Sequence, residues 1–183
     1  MDLYSLDYSE IDKKAAIPLS INIDGYSTLH PAVSPYNRRL YFSSDRPGGF
    51  GGMDLYYVAI LPNNGLGTPV NLGPDINTQA DEVFPFVYDE RFLFYSTKST
   101  GGKMNLKLAI NTVDIRWHVR DLPNPFNGPN DNFSFHLNNE LDYGFLSSNR
   151  QNGKGDDDLY GFLFTPKIEG LPDKYTYSPA DTL

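Results

Sequence analysis

Apolar residues in this chain fall in short runs bounded by glycine, proline and small polar residues, without the three- and four-residue rhythm of a long helix. The sharpest runs are Leu40-Tyr41-Phe42-Ser43-Ser44, Phe92-Leu93-Phe94-Tyr95-Ser96-Thr97 and Gly144-Phe145-Leu146-Ser147-Ser148. Each ends in Ser or Thr and enters a glycine-containing or polar turn. A second strand-like run follows, opened by Asp-Leu-Tyr or a variant. The variants are Asp2-Leu3-Tyr4, Asp54-Leu55-Tyr56, Asn105-Leu106-Lys107 and Asp158-Leu159-Tyr160, at intervals of 52, 51 and 53 residues.

A period near fifty residues, made of short strands and turns, predicts an all-β chain with the radial repetition of a β-propeller. Three repeat units align, over residues 17–60, 68–110 and 116–164. Each is expected to be a four-stranded antiparallel blade. The first would use strands near 19–23, 31–34, 39–43 and 55–60. The second would use 70–72, 83–87, 92–96 and 106–110, and the third 117–119, 132–136, 143–147 and 159–164. Residues 1–8 read as the closing strand of a preceding blade, and 166–183, carrying Pro166, Pro172 and Pro179, as an extended tail or linker. A one-turn helix over 9–16 would stop at Pro18. Three blades and a spare strand leave open faces, so residues 1–165 are expected to belong to a larger propeller. The missing blades would come from the same chain or from another protomer.

Turn chemistry supports these boundaries. Ser34-Pro35-Tyr36-Asn37, Tyr88-Asp89-Glu90 and Asn138-Asn139 separate second from third strands. The link to the fourth strand is 45–53, 98–104 or 149–157, and Gly48, Gly49, Gly51 and Gly52 allow positive φ in the first of these. Asp54 and Asp158 then stand where a short carboxylate accepts N–H bonds from the turn. Asp156 and Asp157 have no counterpart in the first unit and are expected to face solvent.

Composition narrows the chemistry. Thirteen tyrosines, 12 phenylalanines, 16 glycines and 14 prolines suit short strands and tight turns. A formal charge of −8 argues against nucleic acid or an anionic membrane surface as partner. The sequence has no apolar stretch of membrane-spanning length. With no cysteine there are no disulfides, thiolate metal sites or cysteine nucleophiles. Gly25-Tyr26-Ser27-Thr28-Leu29 fails the serine-hydrolase elbow at its last position. His30, His118 and His136 lie on different expected strands and read as partly buried polar residues rather than a metal site. Asp156-Asp157-Asp158 beside Gly153 and Gly155 is the best candidate for calcium, but consecutive residues do not converge on one ion. Trp117 and the strand aromatics Tyr41, Phe42, Phe84, Phe86, Phe92, Phe94 and Phe145 are expected to pack between blades. No catalytic, cofactor or metal residue is assigned.

Ser43-Ser44-Asp45-Arg46-Pro47-Gly48-Gly49 followed by Met53-Asp54-Leu55-Tyr56 resembles the WD-like propeller repeat of the TolB type. Asp81-Glu82-Val83-Phe84-Pro85-Phe86, Ser147-Ser148-Asn149-Arg150 and the segment 153–160 are similar to propellers of Bacteroidetes envelope proteins that carry an OmpA-like domain. The PorE-like members of that group belong to the type IX secretion and gliding machinery. The middle unit departs from the pattern: Lys98-Ser99-Thr100 lacks the arginine of Arg46 and Arg150, and Asn105 replaces Asp. The resemblance implies a noncatalytic docking propeller of the cell envelope, periplasmic and outer-membrane associated, with other envelope proteins as partners. The alternatives are the propeller of a glycan-processing or peptidase enzyme, and a calcium- or sugar-binding module.

Overall fold

The computed structural model describes residues 1–5, 16–34, 36–98, 100–111, 116–138 and 143–163. The expected tail 166–183 and the remainder of the 1–8 strand lie outside them. The chain is all-β, with no helix among the described residues. None therefore is long and apolar enough to cross a membrane.

Among the described residues thirteen strands follow in order: β1 Tyr4–Ser5, β2 Ile17–Pro18, β3 Thr28–Ser34, β4 Arg39–Ser44, β5 Asp54–Ala59, β6 Val70–Asn71, β7 Asp81–Val87, β8 Phe92–Lys98, β9 Met104–Asn111, β10 Trp117–Asp121, β11 Asn132–Leu137, β12 Tyr143–Ser148 and β13 Asp158–Leu163. They form four antiparallel sheets, β1-β2, β3-β4-β5-β6, β7-β8-β9-β10 and β11-β12-β13. Most strands match the apolar runs, but their grouping differs from the expected one. Val70–Asn71 does not open the second unit. It doubles back along β5, with Tyr56 opposite Asn71 and Tyr57 opposite Val70. Trp117–Asp121 likewise pairs with β9 rather than with the third unit. The expected strand over 19–23 is a turn in which Asn22 N donates to Leu19 O, and the pair formed earlier in the chain is β1 with β2. The described sheets therefore hold two, four, four and three strands, not one plus three fours. The physical reason is locality: each edge strand returns from a hairpin beside its predecessor before the chain crosses to the next sheet.

The sheets stack in series, one core between each adjacent pair. Leu3 and Leu19 cover Leu40, Phe42, Tyr56 and Val58 of the β3–β6 sheet. That sheet's other face sends Tyr41 and Leu55 against Val87, Leu93, Tyr95 and Ala109 of the β7–β10 sheet. Phe94, Leu106 and Leu108 then meet Phe135, Leu137, Leu146 and Phe162 of the last sheet. Neighbours such as Tyr41 and Phe42 thus point into different cores, which explains why these strands read as continuous apolar runs instead of alternating. Trp117 packs in the core between the two four-stranded sheets, as the sequence predicts.

Among the described residues, β13 is the last strand of the series. Register places Leu55, Leu106 and Leu159 at one station, immediately after the residue opposite Ser44, Thr97 or Ser148. Leu55 and Leu106 are 0% exposed, whereas Leu159 is 69% exposed. The first two face the following sheet; Leu159 faces none among the described residues.

Candidate functional site: a cleft along the first strands

The first strand of each larger sheet carries a β-bulge at the same place, between Leu29 and Ala32, Val83 and Phe86, and Phe133 and His136. Inside each bulge one non-glycine residue adopts a left-handed backbone: His30 at φ 52°, Phe84 at 53° and Ser134 at 54°. Such a conformation costs a bulky side chain on the order of 1–3 kcal/mol, and strain of this kind gathers at functional sites. The bulges turn the side chains toward one another. The His30 ring lies 3.9 Å from Phe84, Phe84 lies 5.4 Å from Phe133, and Phe86 lies 4.2 Å from His136, centroid to centroid.

Together β3, β7 and β11 line a cleft of about 370 Å³. Its walls are rings, imidazoles and Pro31 and Pro85, with no carboxylate, lysine or arginine among the described lining residues. His30 Nδ1 shares a 3.0 Å hydrogen bond with Ser43 Oγ. Burial lowers the pKa of both His30 and His136, so both imidazoles favour the neutral form. The cleft therefore offers aromatic faces and two neutral hydrogen-bonding rings, suited to recognising an apolar or aromatic group.

The structure brings His30 and His136 to this cleft but leaves His118 exposed on β10. No cluster of metal-holding side chains forms among the described residues. The acidic turn behaves as the repeat predicts. Asp158 Oδ2 accepts from Lys154 N at 2.8 Å and Gly155 N at 3.1 Å, while Asp156 and Asp157 are exposed. Asp54, 0% exposed, accepts from Phe50 N, Gly51 N and Asn71 Nδ2. Of the glycines before it, Gly48 alone uses the positive φ that glycine allows, at 90°. Gly51 is required by close approach instead, since a Cβ there would collide with Thr78 O.

Two sets of repeated side chains are not evident from residue type alone. One is the bulge trio, whose members share no chemistry. The other is Asn22, Asn77 and Asn127. Each accepts through Oδ1 from the amide of Leu3, Leu55 or Leu106, and returns Nδ2 to the same residue's carbonyl. The available signal is an apolar residue before each Asn: Ile21, Ile76 and Phe126, all buried.

The arginines form a third repeated station. Arg46, 8% exposed, lies over the Phe42 and Tyr56 rings at 4.8 and 5.0 Å. It donates to Ser44 Oγ, Ile21 O and Thr28 Oγ1. Arg150 repeats this over Tyr160, donating to Pro125 O and Asn132 Oδ1.

No protein-family model matches the chain, and no curated protein matches it.

Proposed function

We propose that this chain is part of a β-propeller that acts as a noncatalytic protein-interaction scaffold in a bacterial cell-envelope assembly. The observation that carries the reading is the serial stacking of sheets, each sharing one core with the next. Their first strands gather along one line, and Leu159 stands bare where its equivalents are fully buried. A two-layer sandwich buries each sheet on one face; here both four-stranded sheets are buried on both. Further blades, of this chain or of another protomer, would cover the β13 face.

The cleft along the first strands then lies on the propeller axis, where loops and inner strands of such rings present binding groups. Its aromatic, proline and neutral imidazole lining supports recognition of another protein's apolar side chains. The TolB-type motif at 43–56, with its similarity to PorE-like envelope proteins, supports a periplasmic, outer-membrane-associated setting and a link to type IX secretion or gliding. Fold analogy supplies the class of function and not the partner.

Fractionation of cells producing the natural full-length polypeptide, with cross-linking from His136→Cys in the cleft, tests this reading. Envelope localisation and a cross-linked envelope protein are the expected result. A cytosolic protein, or hydrolysis of glycans or peptides abolished by substitutions in the cleft, would overturn it.

A further inference from the structure

The arginine station has an exception, and a cavity lies there. By register, Thr28, Glu82 and Asn132 are equivalent, being paired with Ser44, Thr97 and Ser148. The same register equates Phe42 with Tyr95, and Tyr56 with Lys107. In the β3–β6 sheet this set holds the Arg46 guanidinium, and in the last sheet the guanidinium of Arg150. In the β7–β10 sheet the sequence supplies no arginine two residues after Thr97. Instead a cleft of about 250 Å³ opens there, lined by Asp75, Ile76, Thr78, Glu82, Tyr95 and Lys107 among others.

The neutral hydrogen-bonding residue under the arginine has become a carboxylate. Glu82 is 0% exposed, and its donors among the described residues are neutral: Thr78 N, Thr78 Oγ1 and Thr97 Oγ1. No cation among the described residues bonds it. Removing an anion from water without a counter-charge is costly, and burial accordingly raises the Glu82 pKa. The nearby lysines are committed elsewhere. Lys107 Nζ pairs with Asp121 at 2.8 Å, and Lys103 Nζ donates to Gly128 O. The Tyr95 ring, equivalent to Phe42 under Arg46 and 2% exposed, borders the cleft.

We propose that the cleft beside Glu82 is a receptor for a guanidinium group, supplied by an arginine side chain of a partner polypeptide or by a free guanidino compound. The planar cation would lie against Tyr95 and pair with Glu82, with Asp75 at the mouth adding attraction. The inference rests on the repeated stations and is independent of the envelope reading.

The test titrates the whole chain with methylguanidinium and with the tripeptide Gly-Arg-Gly, following amide resonances at constant ionic strength. Methylammonium, Gly-Lys-Gly and acetate serve as comparison probes. Both guanidinium probes, or either one, should shift the amides of Thr78, Glu82 and Thr97. Stronger response to the tripeptide identifies a partner's arginine side chain, and response to methylguanidinium alone identifies a free compound. Glu82→Gln should weaken binding about tenfold or more, the loss expected for a charge-assisted hydrogen bond. Asp75→Asn, at an exposed position, should weaken it by a smaller factor and serves if Glu82→Gln does not fold. Arg46→Ala, which empties the first station, should gain a second methylguanidinium response at Ser44 and Thr28. The proposal is overturned if neither guanidinium probe binds, if methylammonium or acetate binds as well, or if both carboxylate variants bind like the wild type.

Discussion

Asn77→Ala should be among the most damaging single polar substitutions in this chain. Asn77 is 1% exposed and its side chain makes three bonds, from Leu55 N at 2.8 Å, to Leu55 O at 2.9 Å and to Asn71 Oδ1 at 2.8 Å. The losses are unequal. Leu55 O keeps Leu72 N, and Asn71 Oδ1 keeps Gly73 N. Leu55 N–H keeps no acceptor from this set, and Leu55 is 0% exposed. A buried donor left unsatisfied costs about 1–3 kcal/mol, and the lost bonds to the two acceptors add roughly 1 kcal/mol. The sum is about 2–4 kcal/mol. For a domain of this size that corresponds to a fall in Tm of roughly 4–16 °C.

Urea unfolding measures it directly, with Gln79→Ala as the comparison because Gln79 is an exposed neighbour on the same connection. Hydrogen exchange adds a local reading, since the Leu55 amide should lose protection in Asn77→Ala beyond what global stability explains. Asn127→Ala removes the same clamp from Leu106 and should cost a similar amount. If Asn77→Ala falls within about 0.5 kcal/mol of Gln79→Ala, the clamp is not holding β5 and the reasoning fails.

The turn carboxylates should rank by burial: Asp54→Ala costs most, Asp158→Ala on the order of 1–3 kcal/mol, and Asp157→Ala within about ±0.5 kcal/mol. Equal melting of Asp158→Ala and Asp157→Ala would refute the assignment, and a calcium-dependent rise lost only in Asp157→Ala would restore a metal site. Leu106→Ala should cost about 2–5 kcal/mol, whereas Leu159→Ala should change this chain little; similar losses in urea unfolding would mean that the β13 face is already covered. Glu82 and the two cleft histidines should tilt the pH profile in opposite directions. A carboxyl pKa raised by burial makes stability fall as pH rises through the window above about 4.5, the ordinary carboxyl value, so Glu82→Gln should gain on wild type there. Imidazole pKa values lowered by burial make stability fall as pH drops below about 6.5, and His30→Asn should flatten that limb. A wild-type profile parallel to both variants in urea unfolding would contradict these assignments.

Most strand positions were legible because burial on both faces leaves apolar runs that turn residues delimit sharply; the run over 19–23, which forms a turn, was the exception. Sheet membership was not. Val70–Asn71 is two residues long, and nothing in so short a pattern says whether it pairs backward or forward. The bulges were hidden for a different reason. A bulge adds one residue to a strand without changing its composition, and His30, Phe84 and Ser134 share only a backbone conformation. The asparagine clamps stood among glycines and prolines, where Asn reads as turn chemistry, so their long-range bonds to Leu55 and Leu106 left no local trace beyond the apolar residue before each Asn. Asp54 and Asp158 were legible because their partners lie three and four residues away.

Repetition also separates what the fold needs from what one unit has changed. The asparagine clamp recurs in three connections with the same donors and acceptors, so it answers a demand that those connections share. The arginine station does not: Thr28 with Arg46 and Asn132 with Arg150 place a cation on neutral acceptors, while Glu82 places an anion among neutral donors. Both arrangements lie at the junction between a first strand and the preceding connection, and only the one with Glu82 leaves a cleft beside it. Structural demand alone therefore does not select the carboxylate, and a neutral residue would avoid its desolvation cost. A buried charge that the repeat does not require, set beside a cleft where its sister sheets hold the opposite charge, is the feature on which the proposed guanidinium site rests.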